Sequence, residues 1–399
     1  MIKILKKIRW FIKNSFIKIA SILLHILIPR NKKYVIFNGK FGKDHEIFLH
    51  NTKYLFLYMS NMKEFHVSWL CDNKEMVKVF NKYGYRNVYS RKSLKGAYNA
   101  LKSKYWLHDL LPEDLPMLYT EGATIINPWH GTGSLKKCGN DDQNNVKYNR
   151  LEQKIINTFT LKDSFFNVDS EHEGKYRMQA FDAKEEQIVI NGSPRLDVLF
   201  KDFEHQELFM EEDFNAIKQL KENGKKLFFY VPTWRDTKED ISGWLKSKRL
   251  DDFLSSNNAV LVCKLHPFDT NSLNFELSEN FYKMNSDSDL YAVLKYMDAM
   301  ISDYSSVYFD FLLLDRPIIY YVPDLEEYQV KCRSFYEPYE NLTAGVKAYN
   351  EDELINAMQE VINGVDNYKE QRKALRDRMF KYQDGHNCER VVEWIKSLD

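Results

Sequence analysis

The feature that most constrains the fold is an alternation of short apolar runs with helix-like stretches, which occurs twice along the chain. The strand candidates of the first series are Tyr34–Phe37, Phe65–Leu70, Tyr105–Leu107, Thr124–Ile126, Ser164–Val168 and Gln187–Ile190. Those of the second are Leu227–Val231, Ala259–Lys264, Ala299–Ser302 and Ile318–Val322. Strands that alternate with helices form parallel sheets, so two such series predict two α/β domains.

Helical patterns lie between and after these strands. The helix candidates are Asn51–Ser60, Lys74–Tyr83, a stretch opened by the capping-box spacing of Ser170 and Glu173, and Glu351–Leu398. A charged region that contains one helix, 199–226, connects the two series. We therefore expect an N-terminal segment over 1–31, a first Rossmann-like domain over 32–198, and a second over 199–399 that ends in helices.

Charge is balanced over the whole chain but unevenly distributed. The 399 residues include 57 Lys and Arg and 57 Asp and Glu, and the first 43 hold 11 of the basic residues and none of the acidic ones. Such a basic start indicates an anionic partner, either a membrane surface or nucleic acid. The five scattered cysteines have no CxxC spacing, which indicates a reducing compartment and no zinc site.

The basic start is also amphipathic when it is placed on a helix. Lys3, Lys6, Lys7, Lys13, Asn14, Lys18, Ser21 and His25 fall on one side, and Ile4, Leu5, Ile8, Phe11, Ile12, Phe16, Ile19, Leu23 and Ile26 largely on the other. The longest charge-free run, 19–29, is too short to span a bilayer. A helix lying on an anionic membrane surface fits this pattern. The alternative is a helix packed on the protein's own core.

Polar residues follow five of the predicted strands, where open α/β sheets bind their ligands. These segments are Asn127–Ser134, Asn191–Asp197, Pro232–Asp236, Leu265–Pro267 and Ser302–Ser306. They bring His130, His266, Arg195, Arg235 and several hydroxyls to equivalent depths in the sheets. Each of these residues, considered alone, can be explained as a structural histidine or as part of a salt bridge between domains. Packing explains all five together poorly.

The segment Ser302–Ser306 leads from an apolar strand into an amphipathic run that ends before Pro317. Free N–H groups at a helix start, with two added hydroxyls, favour an anion. The alternative is that Ser305 caps the helix and needs no ligand. Histidine titrates near neutrality and can take a proton from an attacking hydroxyl, while arginine and helix-start N–H groups stabilise phosphate charge. The set suits transfer from an activated diphosphate, with His130 and His266 contributed by different domains.

At these residues the sequence resembles the CDP-glycerol glycerophosphotransferase family, the teichoic acid primases and polymerases. The matching segments are 129–132 with 135–137, 192–197, 232–236, 264–267, 302–306 through 315–319, and 324–328. The resemblance implies a GT-B-like fold in which two Rossmann-like domains face each other across a cleft. It also implies peripheral attachment to the cytoplasmic face of the cell membrane. The implied reaction passes glycerol phosphate from CDP-glycerol to a hydroxyl of an undecaprenyl-diphosphate-linked acceptor and releases CMP, in teichoic acid or capsule assembly.

The resemblance also implies roles for individual residues. His130 is expected to be the base and His266 to assist at the diphosphate, while Arg235, Ser305, Ser306 and Thr233 are expected to hold the donor phosphates. The further substrate-binding candidates are Gly131, Thr132, Arg195, Asp197, Asp303 and Glu327. We expect CDP-glycerol as co-substrate, an anionic membrane surface as partner, and no metal, further cofactor or nucleic acid.

Three alternatives remain at this stage. Gly133 and Ser134 replace an expected proline-containing turn, and Gly192-Ser193 lacks the usual aromatic, so a CDP-ribitol donor fits as well. A GT-B glycosyltransferase that uses a nucleotide sugar would share the fold and the phosphate site. A non-catalytic membrane-bound scaffold would explain the basic start but not the two histidines.

Overall fold

Two parallel sheets form the centre of the protein in the computed structural model. The structure describes residues 2–39, 47–109, 115–132, 135–142, 164–233, 243–265, 278–332 and 334–398, with the backbone alone at 2–11, 117 and 331. The strands are β1 Asn31–Asn38, β2 His66–Leu70, β3 Val88–Tyr89, β4 Ser103–His108, β5 Thr124–Asn127, β6 Ser164–Val168, β7 Ile188–Ile190, β8 Lys226–Val231, β9 Ala259–Cys263, β10 Phe281–Lys283, β11 Ala299–Ser302, β12 Ile318–Tyr321 and β13 Val346–Ala348.

The first helix precedes β1, and the other described helices lie between and after the strands. They are α1 Ile2–Leu27, α2 His50–Ser60, α3 Lys74–Lys82, α4 Leu94–Lys102, α5 Glu171–Phe181, α6 Glu211–Glu222, α7 Lys248–Ser256, α8 Tyr291–Leu294, α9 Val307–Phe311, α10 Leu325–Lys331, α11 Glu351–Ile362, α12 Lys369–Met379 and α13 Asn387–Ser397. At the start of α5, the Ser170 side chain accepts a hydrogen bond from the Glu173 N–H, as the capping-box spacing predicts.

The first sheet has the strand order β3-β2-β1-β4-β5-β6-β7 and the second β10-β9-β8-β11-β12-β13. Neighbouring strands pair in parallel in both, as Val35 with Val67 and Ala299 with Phe228 illustrate. Parallel strands are covered by helices on both faces, which is why their sequences are continuous apolar runs. All five residues of β9 are buried, for example. The predicted α/β class with two parallel-sheet domains is confirmed.

Three strands are absent from the sequence-based prediction, and each lies at the edge of a sheet. These are β3, β10 and β13, which have two or three residues each. Edge strands are short and partly exposed, so their sequences lack the apolar run that identifies a central strand. All ten predicted strands are present.

The two domains contact each other through charged groups that are fully buried. Lys53 of α2 pairs with Asp289 of the second domain at 2.9 Å, and both side chains are at most 2% exposed. The Tyr54 hydroxyl donates to the same carboxylate at 2.7 Å. After the second sheet the chain returns to the first domain, where α13 packs against α2 and the turn Pro194–Leu199.

The helix α1 exposes its apolar side and packs its polar side on the first domain. The exposed stripe consists of Ile12, Phe16, Ile19, Leu23 and Ile26, each 50–70% exposed. On the opposite side Lys18 pairs with Glu121, and the Ser21 hydroxyl accepts from the Glu121 N–H at 3.3 Å. This is the reverse of a helix packed on the core. Within the described residues, no helix has an apolar stretch long enough to cross a bilayer.

Candidate active site

The strand order reverses at one place in each sheet, between β1 and β4 in the first and between β8 and β11 in the second. Ligands of open α/β sheets bind beyond the strand ends at such switch points. We name the residues after β1, β4 and the adjacent β5 the first switch point. Those after β8 and β11 are the second switch point. Most of the sequence-predicted site residues that the structure describes belong to one or the other.

His130 lies at the first switch point, in the loop that follows β5. Its Nδ1 is 3.1 Å from the carbonyl oxygen of Asp109, which directly follows β4. Since a carbonyl can accept but not donate, Nδ1 carries the proton and Nε2 carries the lone pair that a general base requires. The Trp129 ring stacks on the imidazole with centroids 4.6 Å apart and planes 25° apart. The half-buried ring is therefore held at one nitrogen and on one face.

Two buried residues fix the His130 loop to the start of α2. The Asn51 side-chain amide donates to the carbonyls of Pro128 and Trp129 at 2.8 and 2.9 Å. The Asp109 carboxylate accepts from both the N–H and the hydroxyl of Thr52, at 3.2 and 2.6 Å. Asp109 thus connects the predicted base to α2 through its backbone and its side chain together.

The second switch point is built from backbone amides and hydroxyls. The carboxylate of Asp303, which follows β11, accepts from the N–H of Thr233, which follows β8, at 2.9 and 3.1 Å. Asp303 also accepts from the Tyr304 N–H and is 2% exposed. Its contacts thus organise the turn, and substrate binding by Asp303 stays a prediction.

The serine pair lies in the same turn, directly before α9. Ser305 and Ser306 are both half-buried. The cap position of α9 is occupied by Ser306, whose side chain makes no capping hydrogen bond. The alternative that Ser305 merely caps this helix is therefore not what the structure describes. Phosphate binding by the pair remains a prediction.

The two switch points meet at Gly131. A Cβ atom placed on Gly131 would lie 3.0 Å from the Ser306 hydroxyl, so the backbone next to His130 directly adjoins the serine pair. Farther along the loop, the Lys137 N–H donates to the Ser334 carbonyl and the Tyr336 N–H to the Leu135 carbonyl, at 3.0 and 3.1 Å. Main-chain hydrogen bonds therefore join the segment 135–137 to the second domain.

Arg195 and Thr132 form a buried network between the domains. The Arg195 guanidinium pairs with Asp310 of α9 at 3.0 Å, and both side chains are 0% exposed. The Thr132 hydroxyl lies 2.6 Å from Asp310, and the Tyr291 hydroxyl donates to the same carboxylate at 2.6 Å. Burial works against the charge of Arg195, but Asp310, Tyr291 and Asp169 outweigh it and raise its pKa. The geometry is that of an interface salt bridge, one of the two interpretations that the sequence allows.

Asp169 extends this network with a carboxyl that is a weaker acid than usual. It follows β6, is 1% exposed, and accepts from the Ser193 hydroxyl at 2.9 Å. Burial, followed by repulsion from Glu173, raises the pKa of Asp169 to about 7, although Arg195 opposes the shift.

The two remaining candidates, Asp197 and Glu327, lie on the turn Pro194–Leu199 and on α10. Both carboxylate oxygens of Asp197 accept N–H groups at the start of α13, from Asn387 and Cys388, at 2.9 and 2.8 Å. Asp197 thereby attaches the final helix to the first domain. Glu327 is half-buried on α10. Substrate binding by Thr132, Arg195, Asp197 and Glu327 stays a prediction.

Two predicted residues, Arg235 and His266, lie outside the described residues. The description therefore covers one of the two histidines expected to converge on the diphosphate. In the described part of the chain, no group of three or more His, Cys, Asp or Glu side chains is placed to hold a metal ion.

Sequence reasoning missed three residues that hold the site together. Asp109 ends the apolar run of β4, so the strand-end rule that selected His130 applies to it equally. Asp310 is a charged residue on the buried face of an amphipathic run, which is itself a signal of a buried partner. Asn51 carries no comparable signal, because an asparagine near a helix start normally indicates a cap.

Comparison with protein families gives a match to the family model "CDP-Glycerol:Poly(glycerophosphate) glycerophosphotransferase" over residues 20–397. The chain belongs to this family. The teichoic acid poly(glycerol phosphate) polymerase of Bacillus spizizenii is 29% identical, with 98% of both chains covered. The teichoic acid glycerol-phosphate primase of Bacillus subtilis is 30% identical over 68% of each chain. The ribitol-phosphate polymerase TarL of Staphylococcus aureus is 30% identical over 69% of this chain and 49% of its own length.

Solved structures match along the whole chain. The wall teichoic acid polymerase TagF superposes with a TM-score of 0.75 at 20% identity, covering 100% of this chain and 98% of the other. A UDP-N-acetylglucosamine 2-epimerase from Listeria monocytogenes gives 0.53 at 14% identity, covering 92% and 96%. At these identities the likeness concerns the fold, which is GT-B-like with two Rossmann-like domains.

The family assignment confirms the resemblance inferred from the sequence and the predicted enzyme class. The protein is a glycerophosphotransferase of the type that acts in teichoic acid synthesis.

Proposed function

We propose that the protein transfers glycerol phosphate from CDP-glycerol to a terminal hydroxyl of an undecaprenyl-diphosphate-linked acceptor. The observation that carries the proposal is the contact of Gly131 with Ser306, since it brings the predicted base of one domain to the predicted phosphate site of the other. A base and an adjacent anion site are the two parts that phosphoryl transfer to a hydroxyl requires.

In the proposed reaction Nε2 of His130 accepts the proton of the acceptor hydroxyl. The hydroxyl oxygen attacks the phosphorus that carries the glycerol, the bond from that phosphorus to the bridging oxygen breaks, and CMP leaves with that oxygen. The hydroxyls of Ser305 and Ser306 donate to the phosphate oxygens, while Arg235 and His266 complete the donor site. No metal or further cofactor takes part in this scheme.

Glycerol is favoured over ribitol as the transferred unit because the family model and the relative matched over 98% of both chains are of the glycerol type. CDP-ribitol is the second candidate, since TarL is 30% identical to this chain. Incubation with a lipid-linked disaccharide acceptor and, separately, CDP-glycerol, CDP-ribitol and a UDP-sugar distinguishes them by mass spectrometry. We expect an acceptor heavier by glycerol phosphate units, together with CMP. Product from another donor, and none from CDP-glycerol, would contradict the proposal.

The membrane is the proposed location of this reaction, on its cytoplasmic face, with α1 as the peripheral attachment. An exposed apolar stripe beside a basic N-terminal sequence supports it, because such a helix inserts its apolar face at an anionic surface. The fixed contacts of Lys18 and Ser21 with Glu121 keep that stripe directed away from the protein.

A charge in the stripe tests this attachment. Leu23 is 57% exposed, so Leu23→Asp is expected to leave the folded domain stable but to weaken sedimentation with phosphatidylglycerol vesicles at least tenfold. Val330→Asp is the matched control, because Val330 is an exposed apolar residue on α10. Equal vesicle binding by the two variants would contradict attachment through α1.

A further inference from the structure

A second imidazole lies beside His130 at the first switch point. His50 begins α2, and its ring centroid is 6.2 Å from that of His130, with the ring planes 50° apart. On its other side the Tyr291 ring of the second domain is 6.3 Å away at 74°. The half-buried His50 ring thus lies between the predicted base and the opposite domain.

The backbone of His50 has a conformation that a histidine rarely adopts. Its φ is 61°, and the φ of Trp129, on the facing loop, is 58°. Each such residue costs of the order of 1 kcal/mol or more and persists where the surrounding structure holds it in place. Here Asn51 does so, since it follows His50 in sequence and bonds the Trp129 carbonyl. This hydrogen bond therefore links the backbone beside His50 to the loop that carries Trp129 and His130.

The conformation of His50 is not needed to begin α2. The cap position is Leu49, which makes no side-chain capping hydrogen bond. The N-terminal end of the helix is instead neutralised by the buried Asp109 carboxylate, which accepts from the Thr52 N–H. The position of the His50 side chain therefore requires a reason other than helix formation.

We propose that His50 binds the end group of the acceptor, so that one hydroxyl or its neighbouring phosphate contacts His50 and His130 together. An imidazole can donate to a phosphate oxygen or a hydroxyl, and two rings 6.2 Å apart can bracket one such group. His50 belongs to the domain opposite the serine pair, so the group that it binds is part of the acceptor and not the donor diphosphate. This assignment rests on the proposed function, and it makes His50 a determinant of acceptor recognition.

The test compares His50→Asn with His205→Asn in the full-length protein. Asparagine tolerates positive φ, so the first variant removes the imidazole and keeps the backbone conformation. His205 is the matched control: its φ is 62°, and its ring contacts Tyr83 and Tyr85. His50→Gly serves as a second variant, because glycine adopts this conformation without strain.

The expected result is a rise of at least tenfold in the KM for the lipid-linked acceptor in both His50 variants, with the KM for CDP-glycerol unchanged. His205→Asn is expected to match the wild type. Acceptor KM values within twofold of the wild type would overturn the proposal, and so would a change confined to the KM for CDP-glycerol. Turnover by the wild type would still support the proposed function in that case. An inactive wild type would overturn the proposed function, and this proposal with it.

Discussion

The two switch points occupy equivalent places in similar sheets, but they are built from different chemical groups. The first contains two imidazoles, His50 and His130. The main-chain carbonyl of Asp109 holds the His130 ring, and the Asn51 amide holds its loop. The second consists, in its described part, of hydroxyls and backbone N–H groups organised by Asp303. Groups that titrate near neutrality move protons, whereas neutral donors bind anions at any pH. The difference agrees with the proposal that the first domain transfers the proton and the second binds the donor.

The largest expected effect comes from removing the predicted base, His130, at the first switch point. In His130→Asn the new amide can still donate to the Asp109 carbonyl, so the loop should keep its position while the proton acceptor is lost. We expect kcat to fall about 10²- to 10⁴-fold, the usual contribution of a general base. CMP release measures this, with the exposed His386→Asn as control. A kcat for His130→Asn within fivefold of the wild-type value would contradict the distinction between the two switch points.

The connection between the switch points is tested by Arg195→Met. This substitution leaves the fully buried Asp310 carboxylate without its cation. We expect the free energy of unfolding to fall by about 3–5 kcal/mol, as when one partner of a buried ion pair is removed. Denaturant titration measures it. The double variant Arg195→Met/Asp310→Asn should recover part of the loss, and a loss below 1 kcal/mol in the single variant would show that the pair does not hold the domains together.

The second switch point is tested by replacing both serines with alanine. Hydrogen bonds to a charged group contribute about 1.5–3 kcal/mol each, so the loss of two should raise the KM for CDP-glycerol at least about 100-fold in Ser305→Ala/Ser306→Ala. The chain offers a matched control in Ser255→Ala/Ser256→Ala, an exposed serine pair at the end of α7. An unchanged KM for CDP-glycerol in Ser305→Ala/Ser306→Ala would show that other residues bind the donor.

The smallest effect concerns Asp169, whose raised pKa makes stability depend on pH. Because its pKa is about 7 in the folded protein and about 3.9 when unfolded, the folded state holds the proton more tightly. Its contribution to stability is present below the unfolded pKa and is lost as the pH rises through about 7. The free energy of unfolding should therefore fall less between pH 5 and pH 8 in Asp169→Asn than in the wild type. Equal slopes would show that the carboxyl ionises normally.

The sequence predicts those features of the fold and of the candidate site whose signal lies within one short segment of the chain. Central strands such as β9 are buried on both faces, so their apolar runs identify them. Edge strands such as β13 lack such a run and cannot be identified in this way. His130 and the serine pair could be found because parallel strands bring their ends to one edge of a sheet.

Contacts between distant parts of the chain could not be predicted in this way. The pairing of Arg195 with Asp310 joins residues 115 positions apart, and His50 was not recognised because its significance lies in a backbone dihedral angle and in a neighbour from another loop.

The most direct test of the account is the equilibrium binding of CDP-glycerol, measured by calorimetry on two variants, one expected to lower kcat and the other to raise the KM for the donor. If the domains have the separate roles assigned above, His130→Asn will bind the nucleotide with the affinity of the wild type, and Ser305→Ala/Ser306→Ala will bind it at least tenfold more weakly. The reverse pattern, with binding lost in His130→Asn and retained without the serines, would contradict it.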